Sequence, residues 1–124
     1  MTSSMKILII GNPVSGDGKA ARRIGRLVEV LTRRGHVVQA MLTQQAEDTQ
    51  RFARAIQPGQ FDRLVVAGGD GTLNGVLNGL RRPDLLPLVP LSSGTANLLA
   101  RELHLPQDPA GLADVLEQGV FRRL

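Results

Sequence analysis

The 124-residue chain contains no cysteine, no tryptophan and no tyrosine, and only three phenylalanines. Without cysteine there is no disulfide framework and no thiolate metal site. Without aromatic platforms the chain lacks what single-strand binders use to stack bases, so nucleic acid is not an expected partner. Long apolar runs are missing as well. Ile7 to Ile10, and Leu85 to Leu91 with its two prolines, fall far short of a membrane span. Four apolar residues ahead of Gly11 make no secretory h-region. No repeat, low-complexity tract or linker divides the sequence, which reads as one domain over 1–124.

What is present suits a packed core: 42% of the residues are hydrophobic and 21% charged, which argues against an extended disordered chain. Fifteen basic residues face eleven acidic ones, a net charge of +4, and thirteen of the fifteen are arginine. Such a surplus suits phosphates or anionic lipid headgroups.

Strand and helix patterns alternate from end to end. Lys6 to Ile10 is nearly all apolar, the mark of a strand covered on both faces. Between Gly18 and Arg34 the apolar positions Ala20, Ile24, Leu27, Val28 and Leu31 form a helical stripe, and Gly35 stands where a C-cap belongs. Val37 to Leu42 reads as a strand and Ala46 to Ile56 as a helix stopped by Pro58-Gly59. Leu64 to Ala67 is a third strand, followed by a helix presenting Leu73, Val76, Leu77 and Leu80. Leu85 to Leu91 is a fourth strand, placed by Pro87 and Pro90 at an edge or in an irregular position. A helix is expected from the turn at Ser92 through Leu103. Another is capped by Asp108 with Pro109 at its first position, and a strand opens at Val120. Repeated β-α units imply an α/β fold, a mostly parallel sheet with helices on both faces in a Rossmann-like three-layer arrangement. Ligands of such folds bind outside the carboxyl ends of the strands.

Three loops at that rim are glycine-rich: 11–18, 68–72 and 93–95. The first nearly matches a P-loop, but Asp17 stands where the lysine is required. It also carries Gly16-x-Gly18-x-x-Ala21, a dinucleotide fingerprint without its acid some twenty residues on, where Gln39, Thr43, Gln44 and Gln45 occur instead. In the second loop, Gly68-Gly69-Asp70-Gly71-Thr72, glycines permit close backbone approach. The amides of Gly71, Thr72 and Leu73 are expected to point from a helix N-terminus toward an anion. Thr43 shares the rim and, taken alone, reads as a cap for the helix near Ala46.

Asn12-Pro13-x-Ser15-Gly16-x-Gly18, Gly68-Gly69-Asp70-Gly71-Thr72-Leu73-Asn74 and Gly94-Thr95-Ala96-Asn97, in this order and spacing, resemble the diacylglycerol kinase catalytic domain, whose family includes bacterial lipid kinases and the sphingosine and ceramide kinases. More distantly, the second motif is similar to a signature of NAD kinases. The resemblance implies the N-terminal domain of that fold. It also implies transfer of the ATP γ-phosphate, with Mg²⁺, to the hydroxyl of a lipid acceptor, a cytoplasmic location and transient contact at the inner membrane face. Carried over by position, the nucleotide would meet Asn12, Pro13, Val14, Ser15 and Gly16, then Thr43, then Gly69, Asp70, Gly71, Thr72, Leu73, Asn74 and Gly75, and finally Thr95. Asp70 would lie beside phosphates and metal. It is the candidate catalytic residue, since some branches use it as the base and others a distant carboxylate.

Two residues depart from the pattern: Gly75 replaces the usual glutamate and Leu98 the usual aspartate. Relatives of this kind continue into a β-rich second domain, which would hold the remaining metal-site and catalytic carboxylates; within this chain no metal ligand is assigned. The expectation is therefore an ATP-binding half of a lipid kinase without useful turnover alone. Apolar surface left by the second domain and the strand end at Val120 to Leu124 favour a homodimer. The alternatives are a non-catalytic nucleotide- or anion-binding module and, disfavoured by the first and third motifs, an NAD kinase relative.

Overall fold

The structure is a computed structural model and describes residues 3–84, 86–92 and 104–118. The elements run β1 (Lys6–Gly11), α1 (Lys19–Arg33), β2 (Val37–Leu42), α2 (Glu47–Arg54), β3 (Arg63–Gly68), α3 (Asp70–Gly79), β4 (Leu88–Ser92) and α4 (Pro109–Gln118). All strand pairs are parallel and the order is β2-β1-β3-β4. This is the α/β architecture expected from the alternating pattern. The helix expected up to Leu103 and the strand at Val120 to Leu124 lie outside the described residues.

Alternation along β1 decides which helices cover which face. Ile7 and Ile9 join Ile24, Leu27 and Leu31 of α1 and Leu112 and Leu116 of α4. Leu8 and Ile10 join Ala53 of α2 and Leu73 and Val76 of α3. All four β1 residues are wholly buried, as a strand sandwiched between two helical layers must be. Each such side chain contributes roughly 1.5–3 kcal/mol relative to exposure.

Helix ends follow local chemistry. The Asp108 carboxylate accepts the Gly111 N–H at 2.8 Å, and Pro109 opens α4, as the cap reading requires. Arg63 donates from Nε to the Leu116 carbonyl at 2.9 Å, serving one of the last carbonyls of α4. At the same end of the sheet His36, wholly buried, accepts the Met5 N–H on Nδ1 (3.1 Å), so its proton sits on Nε2 and is donated to Glu117 (2.7 Å). Arg34 pairs with both Glu117 and Asp114.

β4 begins three residues later than expected because Pro87 stays outside it. Pro90 is accommodated in it as an end strand. The Leu64 N–H donates to the Pro87 carbonyl at 2.9 Å, so odd-numbered residues of this segment face β3 and the missing N–H of Pro90 falls on the outer side. There the Gln107 side chain accepts the Ser92 N–H and donates to the carbonyls of Pro90 (3.4 Å) and Pro106 (3.0 Å).

Candidate functional site

A cleft of about 500 Å³ opens at the carboxyl ends of β1, β2 and β3. Asn12 and Val14 line it from the β1–α1 loop, Thr43 to Ala46 from the β2–α2 turn, Thr49 from α2, and Gly71 and Thr72 from α3. No charged side chain is among these nine. The sheet ladder positions the first two loops: the Asn12 N–H donates to the Ala67 carbonyl (3.1 Å) and the Thr43 N–H to the Gly11 carbonyl (2.8 Å).

The β1–α1 loop then winds tightly. Asn12 Oδ1 accepts the Val14 N–H (3.3 Å), the Ser15 N–H returns to the Asn12 carbonyl (3.2 Å), and the Gly18 N–H reaches the Val14 carbonyl (3.2 Å). Gly16, Asp17 and Gly18 all hold positive φ, at 62°, 57° and 85°. This conformation, which glycine and to a lesser degree aspartate tolerate, turns the chain into α1. Asp17 is exposed and outside the cleft.

The β2–α2 turn is fixed by Asp48, not by Thr43. The buried Asp48 carboxylate accepts the N–H groups of Gln44 (2.8 Å) and Gln45 (3.1 Å) and the guanidinium of Arg51. Those backbone donors, Gln44 first, hold its pKa below the ordinary carboxylate value despite burial. The reading of Thr43 as a helix cap is thereby corrected: α2 starts only at Glu47, with no side-chain cap bond. Thr43 is left to line the cleft.

The glycines around Asp70 divide into three kinds. Gly68, at φ +150°, has Thr72 Cβ 3.0 Å from where its own Cβ would stand, so the fold itself requires it. Gly75 and Gly79 let α3 lie against α2: a Cβ at Gly75 would overlap the Thr49 hydroxyl and stand 3.0 Å from Thr49 Cβ, and one at Gly79 would stand 2.9 Å from Gln50 Cα. Gly69 and Gly71 would meet nothing within 4 Å. Their bareness answers to no neighbour within the described protein.

Asp70 opens α3 after Gly69, and is exposed beside the cleft but not in its lining. The first turn of α3 leaves the N–H groups of Gly71 and Thr72 without an intrahelical acceptor. Leu73 corrects the expectation of three free amides, since its N–H donates to the Gly69 carbonyl (3.2 Å) and its side chain is in the core. Pro13, Ser15, Gly16 and Asn74 flank the cleft in sequence without lining it; Thr95 and Leu98 lie outside the described residues. Gln44, Gln45, Ala46 and Thr49 were not marked by the sequence as site residues, and the only signal for them was the acid pair Glu47-Asp48 opening α2.

A divalent cation bound with nucleotide phosphates takes one or two carboxylates from the protein. Among the described residues no group of three His, Cys, Asp or Glu could hold a metal, and Asp70 is the one carboxylate in the β3–α3 turn. The described residues therefore form no cation cage. Among the described residues, no helix is long and apolar enough to cross a membrane.

The sequence and the fold are similar to those of known proteins. A diacylglycerol kinase of Staphylococcus aureus (strain MRSA252) is 36% identical over 112 residues, which cover 90% of this chain and 36% of that protein. The crystal structure of a diacylglycerol kinase from Bacillus anthracis superposes with a TM-score of 0.76 at 27% identity, covering 95% of this chain and 44% of the other. The chain thus spans well under half the length of these relatives. The sequence profile described as the diacylglycerol kinase catalytic domain matches residues 6–124, and the chain belongs to that family.

Proposed function

We propose that this chain is the ATP-binding part of a lipid kinase, and that its cleft holds the phosphates of ATP for transfer of the γ-phosphate to a lipid hydroxyl. The observation that carries the reading is the bareness of Gly71 in the cleft lining, two residues after the equally bare Gly69. Glycines that no protein neighbour demands, at a helix N-terminus with free amides, leave room for a ligand to approach the backbone. Phosphoryl transfer asks mainly for positioning and charge neutralisation. Here the Gly71 and Thr72 amides receive phosphate oxygens. Asn12 to Gly16 wrap one side, Thr43 the other, and Thr95 belongs to the same set by family position. Asp70, exposed beside the phosphates, orients the acceptor or a phosphate-bound Mg²⁺.

Thermal unfolding with ATP and, separately, with NAD tests this reading. A ligand at a hundred times its Kd raises stability by about 2.7 kcal/mol. ATP is expected to shift the midpoint and NAD to leave it; Gly71→Val is expected to fold but lose the ATP shift. An ATP shift that survives Gly71→Val removes the site.

A non-catalytic nucleotide-binding module is the second reading, favoured by Gly75, which occupies a helix contact where the family resemblance implies a glutamate. Both readings expect negligible turnover from this chain alone, because holding a lipid hydroxyl in line is worth roughly 7–11 kcal/mol of barrier and, among the described residues, Val14 and Ala46 alone give the cleft apolar side chains, too few to seat an acyl chain. Labelled ATP with mixed lipid acceptors, with the Staphylococcus aureus relative as positive control, decides; comparable turnover by the two would refute the expectation.

A further inference from the structure

At the end of α2 and α3 remote from the nucleotide cleft lies a second, apolar cavity of about 150 Å³. Ile56, Phe61, Leu80 and Leu86 line it, and the exposed Arg81 and Arg82 stand in the same lining. Arg81 also lines an adjoining open cleft along α2 with Arg51 and Arg54, in which Glu47 is the single acid among the described residues. Two of these four guanidinium groups are already engaged: Arg51 with Asp48, and Arg82 with Asp84 at 3.0 Å. Arg54 and Arg81 have no carboxylate partner among the described residues.

We infer that this place binds a single-chain anionic amphiphile, its anion held by Arg54 and Arg81 and the adjoining stretch of alkyl chain inserted between Phe61, Leu80 and Leu86. A free inorganic anion would use the arginines and leave the apolar cavity empty, and a neutral alkane would leave the arginines unpaired. Only a molecule with both parts next to each other satisfies both. The cavity fixes the length of the apolar part. At ~30 Å³ for a group the size of a water, 150 Å³ holds about five methylenes. Two guanidiniums favour a phosphate monoester over a carboxylate, since each fork can give two parallel hydrogen bonds to phosphate oxygens. The site is distinct from the nucleotide cleft and independent of the reading given to it.

Isothermal titration of the chain with n-alkyl phosphates from ethyl to octyl, with the matching alkyl carboxylates, and with inorganic phosphate tests the inference. Affinity is expected to rise about fourfold per methylene up to about five carbons and then level off. Pentyl phosphate is expected to bind at least a hundredfold tighter than inorganic phosphate and tighter than hexanoate. Arg54→Gln with Arg81→Gln, both on the surface, is expected to lower pentyl phosphate affinity at least tenfold while leaving the melting point and the ATP-induced shift unchanged. Equal binding of inorganic phosphate would mean an adventitious ion only. A flat chain-length series in the unaltered protein would overturn the inference without recourse to any variant. Capture by vesicles of anionic phospholipid with no uptake of soluble alkyl phosphate would also overturn it, in favour of membrane docking.

Discussion

The same substitution, glycine to alanine, is expected to raise stability on one helix and not on another. Gly25 lies exposed in α1 with nothing within 4 Å of an added Cβ. Gly25→Ala collects the helix preference of alanine, about 1 kcal/mol, and raises the melting point by about 4 °C for a domain of this size. Gly75 lies against Thr49, whose hydroxyl donates to the Ala46 carbonyl at 3.1 Å and which is itself buried. An added Cβ forces either helix separation, an overpacking cost of about 1–3 kcal/mol, or rotation of Thr49 with loss of a hydrogen bond worth about 1 kcal/mol. After the alanine preference of about 1 kcal/mol is subtracted, rotation of Thr49 leaves Gly75→Ala with no gain and helix separation leaves it destabilising by up to about 2 kcal/mol, a fall of up to about 8 °C. With no tryptophan or tyrosine to follow by fluorescence, far-ultraviolet circular dichroism during thermal unfolding is the assay. Adding Thr49→Ala to Gly75→Ala should recover about 1 kcal/mol as coupling between the two sites. A Gly75→Ala protein as stable as Gly25→Ala, or a pair without coupling, would refute the packing argument. The same contact means that the glutamate implied at this position by the family resemblance does not fit at Gly75 alone; α2 must give way at Thr49 first.

Glu117→Gln is expected to lower the melting point at pH 7 and to flatten its decline toward acid. His36 first and then Arg34 hold the Glu117 pKa below its ordinary 4.5 in the folded protein. Its stabilisation is therefore full above that value and is lost as pH falls through the folded pKa; parallel acid slopes for the two proteins would contradict this. Asp108→Ala removes the cap on Gly111 and should cost about 0.5–2 kcal/mol by urea unfolding, with Asp108→Asn recovering most of it. Asp48→Asn weakens the hold on the Gln44 and Gln45 amides, and is expected to speed hydrogen exchange of those two amides and lower ATP affinity, with the α1 amides unchanged.

β1 and β3 were legible because both of their faces are buried: an unbroken run such as Ile7 to Ile10 has few other uses in a chain this size. The stripe of α1 and the Asp108-Pro109 start of α4 were legible because each is a local pattern carrying its own physical cause. The glycines were legible as a group but not in their division of labour. Nothing in Gly68-Gly69-Asp70-Gly71 reveals that one glycine answers to Thr72 and two to nothing. Gly75 depends on Thr49, twenty-six residues earlier, a contact set by helix packing. Thr43 looked like a cap because hydroxyls usually are; a carboxylate inside the helix, Asp48, reached back to the same amides. β4 slid along the chain because a proline in an outer strand is harmless at every second position, and the sequence does not say which parity faces outward.

Gln107 gives the two ends of the described sheet different fates in concentrated solution. A sheet grows by recruiting a strand from another molecule wherever N–H and C=O groups stand ready in register. At β4 the Gln107 amide already occupies one of each, and Pro90 has no N–H to contribute, so an incoming strand meets an interrupted template. At β2 six residues end the sheet among the described residues, with Val37 and Leu42 exposed along them. Self-assembly driven by heat or concentration should then extend from the β2 end, and a lysine placed at the exposed Ala40 should keep the chain dispersed where the same charge near β4 changes little.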